Sequence, residues 1–323
     1  MMGNSSWSDS LTKPRDIVYT FRSNDFPLLQ VPLRRARQFI LSLHPMGDRL
    51  RYWFFRLTSA LRWYLGASTR YDVHSPFLTG FVREVYRDDR VYYAFSRIAE
   101  IRAYWRQQRQ TVGLMQLGAP SRTTTARQRT AASLVSTNAI DDRCGRFLFR
   151  LTLWLRPERI VELGTNAGIS TLYLHLADTR TPLLTVEGNG EVAALARTTF
   201  TRAAATAEVR SFTATFTDWL SRDLPTEPAR VLAFLDGDHR YGPTLDYVQR
   251  LLDTATDESI IVVADIHWSP GMERAWAELR QHPRVTASVD VYHFGLLFLR
   301  PELRGPHLSL IRTRFKPWRI GFF

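Results

Sequence analysis

The chain is nearly devoid of cysteine and of lysine. A single cysteine, Cys144, excludes an intrachain disulfide and a cysteine-rich zinc site, so a reducing cytoplasmic setting is expected. Lys13 and Lys316 are the only lysines among 43 basic residues. That arginine bias follows from genomic base composition as readily as from phosphate recognition, and nucleic acid is not expected as a partner. No apolar run approaches the roughly 20 residues that span a bilayer, and Met1–Asp16 lacks the apolar core of a signal peptide. There is no internal repeat or long low-complexity tract, which argues against a solenoid.

What is present is enough for one large core and an appendage: 323 residues, 45% of them hydrophobic. The net charge of +12 is unevenly spread. Residues 1–70 hold 11 basic and 4 acidic residues, whereas residues 161–300 hold 12 basic and 18 acidic. An acidic catalytic domain with basic flanks is the reading. Four segments are expected: an irregular arm over 1–33, a helical region over 34–132 that caps the domain or forms an interface, a catalytic domain over 133–300, and a basic tail over 301–323.

In the helical region two helical patterns flank His44-Pro45-Met46-Gly47. The second places Leu50, Trp53, Phe54, Leu57, Leu61 and Tyr64 on one face at helical spacing, with Arg49, Arg51, Arg56 and Arg62 on the other. Such a helix suits packing against the catalytic domain or a homodimer interface, and is compatible with peripheral membrane contact. Further on, Ser75 is expected to cap a helix opened by Pro76, with His74 as a structural histidine, and an aromatic-rich helical stretch runs to Trp105. Gly118–Arg129 reads as a loop, and Asp142–Leu155 as a helix.

From Arg159 onward the pattern alternates strand and helix, the signature of a parallel sheet covered by helices. Strands are expected near 159–163, 182–187, 208–213, 230–236, 259–265, 285–291 and 294–299. The last two are separated only by Tyr292-His293 and should pair antiparallel as a hairpin at the sheet edge.

Glu162-Leu163-Gly164-Thr165-Asn166-Ala167-Gly168 follows the first of these strands. Glycines there permit a tight turn and close approach of a ligand at the carboxyl edge of the sheet. A dinucleotide enzyme prefers G-x-G-x-x-G, which seats a pyrophosphate on a helix N-terminus. The spacing E-x-G-x-x-x-G differs, and a carboxylate before the first glycine suits a cationic ligand better than a diphosphate. One unit later, Glu187 ends a strand where a carboxylate can hold the two hydroxyls of a ribose. Asp236 and Asp265 end neighbouring strands, Leu232–Asp236 and Ile260–Asp265, and should converge; two hard oxygen ligands with an open side suit magnesium or another divalent cation.

The segments VELGTNAGIS, TVEG, FLDGDHRY and VVADIHW together resemble class I S-adenosylmethionine-dependent methyltransferases. Within that group they resemble small-molecule O-methyltransferases of the catechol and bacterial sugar types, including the methyltransferase 24 family, over about residues 133–300. The resemblance implies an α/β fold, a Rossmann-like seven-stranded, mostly parallel sheet with its last strand antiparallel. It implies S-adenosylmethionine as cofactor, with Gly164, Asn166 and Ser170 along its methionine part and Glu162 and Gly168 also in the cofactor site. Glu187 would lie on the ribose, Phe216 and Thr217 near adenine, and Asp236 close by. It implies His239 as general base and a divalent metal at Asp236 and Asp265. Where the catechol pattern continues the second aspartate with Asn, this chain has Ile266 and then His267, so the third ligand is open: either His267 substitutes or the metal is absent.

The function expected is O-methylation of a hydroxyl on a small molecule. A non-catalytic cofactor-binding scaffold or partner-recruiting module, and a nucleic-acid methyltransferase, are the rivals. An amino-methylating nucleic-acid enzyme would carry a D-P-P-Y-like turn where Asp236-Gly237-Asp238-His239 stands.

Overall fold

The computed structural model describes residues 33–115, 118, 128–205, 207–303 and 305–313, with side chains from Leu50 onward. The expected arm, save Leu33, and residues 314–323 of the basic tail lie outside the described residues. Two compact units are distinguished, Met1–Leu50 and Arg51–Phe323, and every side-chain contact below lies within the second.

In chain order the elements begin with α1 (Leu33–Gly66), α2 (Pro76–Phe81), a π-helical turn over Val82–Tyr86, and α3 (Tyr93–Arg106). A short ribbon, β1 (Thr111–Gly113) with β2 (Gln128–Thr130), leads into α4 (Ala131–Asn138) and α5 (Asp142–Leu155). The alternating part comprises β3 (Arg159–Leu163), α6 (Ile169–His175), β4 (Leu183–Glu187), α7 (Gly190–Arg202), β5 (Val209–Thr213) and α8 (Phe216–Arg222). It continues with β6 (Val231–Leu235), α9 (Tyr241–Thr254), β7 (Ile260–Ala264), α10 (Pro270–Leu279), β8 (Ala287–Asp290), β9 (Phe294–Phe298) and β10 (His307–Ser309).

Eight strands form one sheet in the order β10-β8-β9-β7-β6-β3-β4-β5. The strands from β5 to β7 pair in parallel, and β9 is antiparallel to both of its neighbours, as expected for the α/β fold. The β8–β9 hairpin does not close the sheet, however, because β10 pairs in parallel with β8 and supplies the outer strand. Side chains alternate across the sheet. Ile160, Leu232, Phe234 and Val262 join the core on one face, and Val161, Leu163, Leu235 and Val263 the core on the other. Both faces are therefore buried, as parallel strands require.

Two local expectations are corrected. A single helix runs through Pro45 instead of breaking at His44–Gly47, at the cost of one backbone hydrogen bond. Much of the expected Gly118–Arg129 loop lies outside the described residues, but its end at Gln128-Arg129 belongs to β2. Ser75 does cap α2, accepting from the Leu78 N–H at 3.5 Å, with Pro76 opening the helix. His74 beside it is exposed.

The stretch of α1 from Arg51 presents its aromatic and hydroxyl-bearing face inward. Tyr52 meets Trp268 edge-on at 6.3 Å, Arg56 lies over the same indole at 5.7 Å, and Trp63 meets Tyr292 at 5.2 Å. Ser59 is buried and donates to Glu273. The apolar stripe of Trp53, Phe54, Leu57, Leu61 and Leu65 faces the opposite way, each residue more than half exposed. No helix among the described residues is long and apolar enough to cross a membrane.

Candidate active site

The carboxyl ends of β3, β4, β6 and β7 lie side by side, and the chain leaves β3, β6 and β7 through turns with positive φ. Gly164 has φ +111°, and a Cβ there would stand 2.2 Å from the Asp236 carbonyl oxygen. The Asp236 N–H donates to the Leu163 carbonyl at 2.8 Å, so the exits of β3 and β6 are tied together. Gly168 has φ +80°, and a Cβ would come within 2.7 Å of the Phe200 ring. The turn is also held from behind: Thr199 Oγ1 donates to the Ala167 carbonyl at 2.7 Å and accepts from Trp105 Nε1 at 2.8 Å. α3, remote in sequence, thereby braces the glycine turn.

Positive φ in residues other than glycine gathers at this edge: Asn166 at 49°, Asp238 at 65°, His239 at 42°, Asp265 at 54° and Tyr292 at 75°. Left-handed backbone is disfavoured for such residues and persists where surrounding contacts enforce it, commonly at functional sites. Here the contacts are backbone hydrogen bonds, His239 N–H to the Gly237 carbonyl at 2.8 Å and Asp265 N–H to the His293 carbonyl at 2.9 Å.

Glu162 is wholly buried beneath the turn. Its Oε2 accepts from Thr171 Oγ1 and, at 2.6 Å, from Thr185 Oγ1, while its Oε1 has no hydrogen-bond partner among the described residues. Burial pushes its carboxyl up to about 7 against the pull of the Ser170, Thr171 and Thr185 hydroxyls. Beyond these hydroxyls, a fully buried carboxyl gains from any further donor that reaches it, which fits an amine-bearing ligand at the turn. Glu187 ends β4 and accepts from the Asn166 N–H and the Asn189 N–H, both at 2.9 Å. These two donors fix the carboxylate and leave lone pairs for further hydroxyls. Burial raises its pKa, opposed by those same N–H groups. Phe216 opens α8 against Gly237, where a Cβ would sit 2.8 Å from its ring, and meets Tyr247 edge-on at 5.7 Å. Thr217 is exposed, 3.4 Å from the Tyr247 hydroxyl. Thr215 caps that helix, its side chain accepting from the Asp218 N–H at 3.1 Å.

Asp236, His239 and Asp265 come together: each offers one ligand atom, and these atoms all lie within 4.8 Å of one another. His239 Nε2 stands 3.8 Å from Asp236 Oδ1 and 3.9 Å from Asp265 Oδ2. Burial pushes the Asp236 carboxyl up to about 6, with His239 opposing and Asp265 adding to the shift. Two ligands on opposite sides of one cation stand at most about 4.2 Å apart for magnesium and about 5 Å for calcium. The cluster accordingly fits a divalent ion with little adjustment.

The expected substitute ligand, His267, is not free to join. Its Nε2 lies 2.9 Å from Asp290 Oδ2 and its Nδ1 3.1 Å from Glu273 Oε1, while its ring stacks on Tyr292 at 5.2 Å. Burial alone would lower its pKa, but Asp290 and Glu273 outweigh that and raise it, and the ring serves as a hydrogen-bonded strut under α1. Ile266 is fully buried in the core and supplies no ligand. The third member of the cluster is His239 itself. Met272 and Trp276 are core residues, and Trp268 lies beside the site with its ring 6.5 Å from His239.

Sequence reasoning passed over Asn189, which both steadies Glu187 and, through Nδ2, holds the Gly113 carbonyl of the ribbon at 2.8 Å. It also missed the tie from the Tyr247 hydroxyl to Asp238 at 2.8 Å. The Asn-Gly pair at 189–190 carried the only sequence signal, that of a helix cap.

Residues 161–266 match the family model described as a methyltransferase domain, about a third of the chain. A search of curated proteins gave no match. Among solved structures, the O-methyltransferase TomG from Streptomyces achromogenes, in complex with S-adenosylmethionine, is 18% identical, covering 65% of this chain and 91% of its own, with a TM-score of 0.47. The O-methyltransferase from Bacillus cereus, in complex with S-adenosylhomocysteine, is 18% identical over 68% and 94% of the two chains, with a TM-score of 0.47. The S-adenosylhomocysteine-bound methyltransferase PaMTH1 of Podospora anserina is 15% identical over 71% and 98%, with a TM-score of 0.47. The sequence match and the turn geometry fall on the same stretch: residues 161–266, which match the methyltransferase domain model, hold the Gly164 turn, Glu187, Asp236, His239 and Asp265.

Proposed function

We propose that this chain transfers the methyl group of S-adenosylmethionine to a hydroxyl oxygen of a small molecule. The observation that carries the reading is the convergence of Asp236, His239 and Asp265 beside the Gly164 turn. Glu162 and the turn residues Gly164, Asn166, Gly168 and Ser170 are assigned to the methionine part of the cofactor. Glu187 is assigned to its ribose, and Phe216 and Thr217 to the adenine end.

Methyl transfer from a sulfonium needs in-line approach and timely removal of a proton rather than covalent catalysis. The acceptor hydroxyl gives its proton to His239 Nε2 as its oxygen forms the new O–C bond. The S–C bond breaks, its electron pair returns to sulfur, and neutral S-adenosylhomocysteine leaves. A divalent cation held by Asp236 and Asp265 would supply acidity to that hydroxyl. Nε2 cannot hold a cation and take a proton at once, so this reading keeps His239 off the metal. The fixed turn at Gly237–His239 and the Trp268 ring orient the imidazole.

The test is turnover by His239→Ala over a panel of hydroxylated metabolites, with and without magnesium. The reading expects S-adenosylhomocysteine to bind as to the unaltered protein while turnover falls by about 10² to 10⁴. Undiminished turnover would remove His239 from the reaction, and undetectable turnover by the unaltered protein across the panel would favour the scaffold alternative.

A further inference from the structure

Beside the β8–β9 turn lies a cavity of about 590 Å³ with no part in cofactor binding as argued above. It is bounded by α1, the π-helical turn, α5, the β8–β9 turn and Arg312. It opens at the same edge of the sheet as the reaction site. His293, one of its lining residues, accepts the backbone hydrogen bond that shapes Asp265, and the thiol of Cys144, another, lies within the electrostatic reach of Asp236. The volume falls in the range of small-molecule sites, roughly 300–1,000 Å³.

The charge of its walls is unbalanced. Arg143, Arg146, Arg150 and Arg312 line it, against the carboxylates of Asp89 and Asp142. Both acids are already neutralised, Asp89 by Arg312 at 2.6 Å and Asp142 by Arg102 at 3.0 Å. Arg150 is likewise paired, with Asp88 at 3.3 Å. That leaves two cations. The Arg143 guanidinium makes no hydrogen bond or ion pair among the described residues, and Arg146 rests on the Phe95 ring at 5.0 Å with its Nε buried and unpartnered. A guanidinium in such a place gains most from a carboxylate or phosphate, whose geometry matches its fork of donors. Flat walls complete the cavity: Trp63, Tyr86, Phe147 and Tyr292 offer faces and edges to an aromatic ring.

We propose that this cavity is the acceptor subsite, and that the acceptor is a hydroxylated aromatic compound carrying a carboxylate or phosphate held by Arg143 and Arg146. The assignment of the cavity to an acceptor rests on the methyltransferase reading above; its preference for an aromatic anion does not.

Calorimetric titration of the full chain, loaded with S-adenosylhomocysteine, with phenyl phosphate, benzoate and benzyl alcohol tests it. At least one anion should bind tenfold or more tightly than benzyl alcohol, and the tighter of the two identifies phosphate or carboxylate. Arg143→Gln and Arg146→Gln should each weaken that anion fivefold or more while leaving S-adenosylhomocysteine affinity unchanged. Should Arg146→Gln fail to fold, the exposed Arg143 decides. Equal or undetectable binding of all three probes, or anion binding unaltered in Arg143→Gln, overturns the proposal. Failure of S-adenosylhomocysteine to bind the unaltered protein would overturn the methyltransferase reading instead, and the probe titrations would still report on the cavity.

Discussion

The two halves of the sheet's carboxyl edge are built in opposite ways. The half around Gly164 and Glu187 is made of short-range parts: strand ends, the turns that leave them, and backbone N–H groups aimed at one carboxylate. The half around Asp265 is made of long-range parts. Ser59 of α1 reaches Glu273 of α10, which grips His267, which grips Asp290 of β8. A ligand with one fixed chemical identity suits the first construction, and a variable acceptor suits the second, since remote segments diverge without disturbing the turn.

That contrast can be broken experimentally, most severely at the turn. Gly164→Arg should abolish S-adenosylhomocysteine binding in calorimetry, because even a Cβ there meets the Asp236 carbonyl at 2.2 Å and φ is +111°. Retained binding would remove the turn from the cofactor site.

His267→Ala should cost on the order of 3 kcal/mol in urea unfolding, since it leaves the buried Asp290 and the partly buried Glu273 without their shared partner. Cofactor affinity should be nearly spared. A loss below about 0.5 kcal/mol would show that the strut carries no weight.

Glu162→Gln sharpens the comparison through pH. The folded-state pKa of Glu162 is raised, from 4.5 to about 7. Its contribution to stability is therefore fully present below about pH 4.5 and is lost as pH rises through about 7. The melting temperature of the unaltered protein relative to Glu162→Gln should fall across that window and stay level above it. A difference independent of pH would place the carboxyl in a wetter setting than beneath the turn.

The smallest effect is expected on the outward face of α1. Leu57→Gln and Leu61→Gln should each change stability by less than about 0.5 kcal/mol in the same unfolding assay, because both side chains are already more than half exposed. A loss of 2 kcal/mol or more would mean that the stripe is covered in solution.

The turn half was legible in the sequence for the reason it is rigid. Strand ends such as Leu183–Glu187 and Val231–Leu235 announce themselves by apolar runs closed by acid, and they fall within two residues of expectation. Asp236 and Asp265 end neighbouring strands and lie together with His239. The other half was legible only in part. The apolar stripe of α1 gave the correct helix but not which face turns inward, because Tyr52, Phe55 and Trp63 offer a second aromatic face. Free space around His267 cannot be read from His267, since its partners lie 6 and 23 residues away in a fold not yet formed. β10 is three residues without alternation and borrows its stability from β8.

The account depends above all on dividing the edge between cofactor and reaction, and one calorimetric comparison tests that division directly. S-adenosylhomocysteine is titrated into the unaltered protein, Glu187→Ala and Asp265→Ala. Binding should be lost or weakened at least a hundredfold in Glu187→Ala and be unchanged in Asp265→Ala; equal affinity for Glu187→Ala and the unaltered protein would contradict the account.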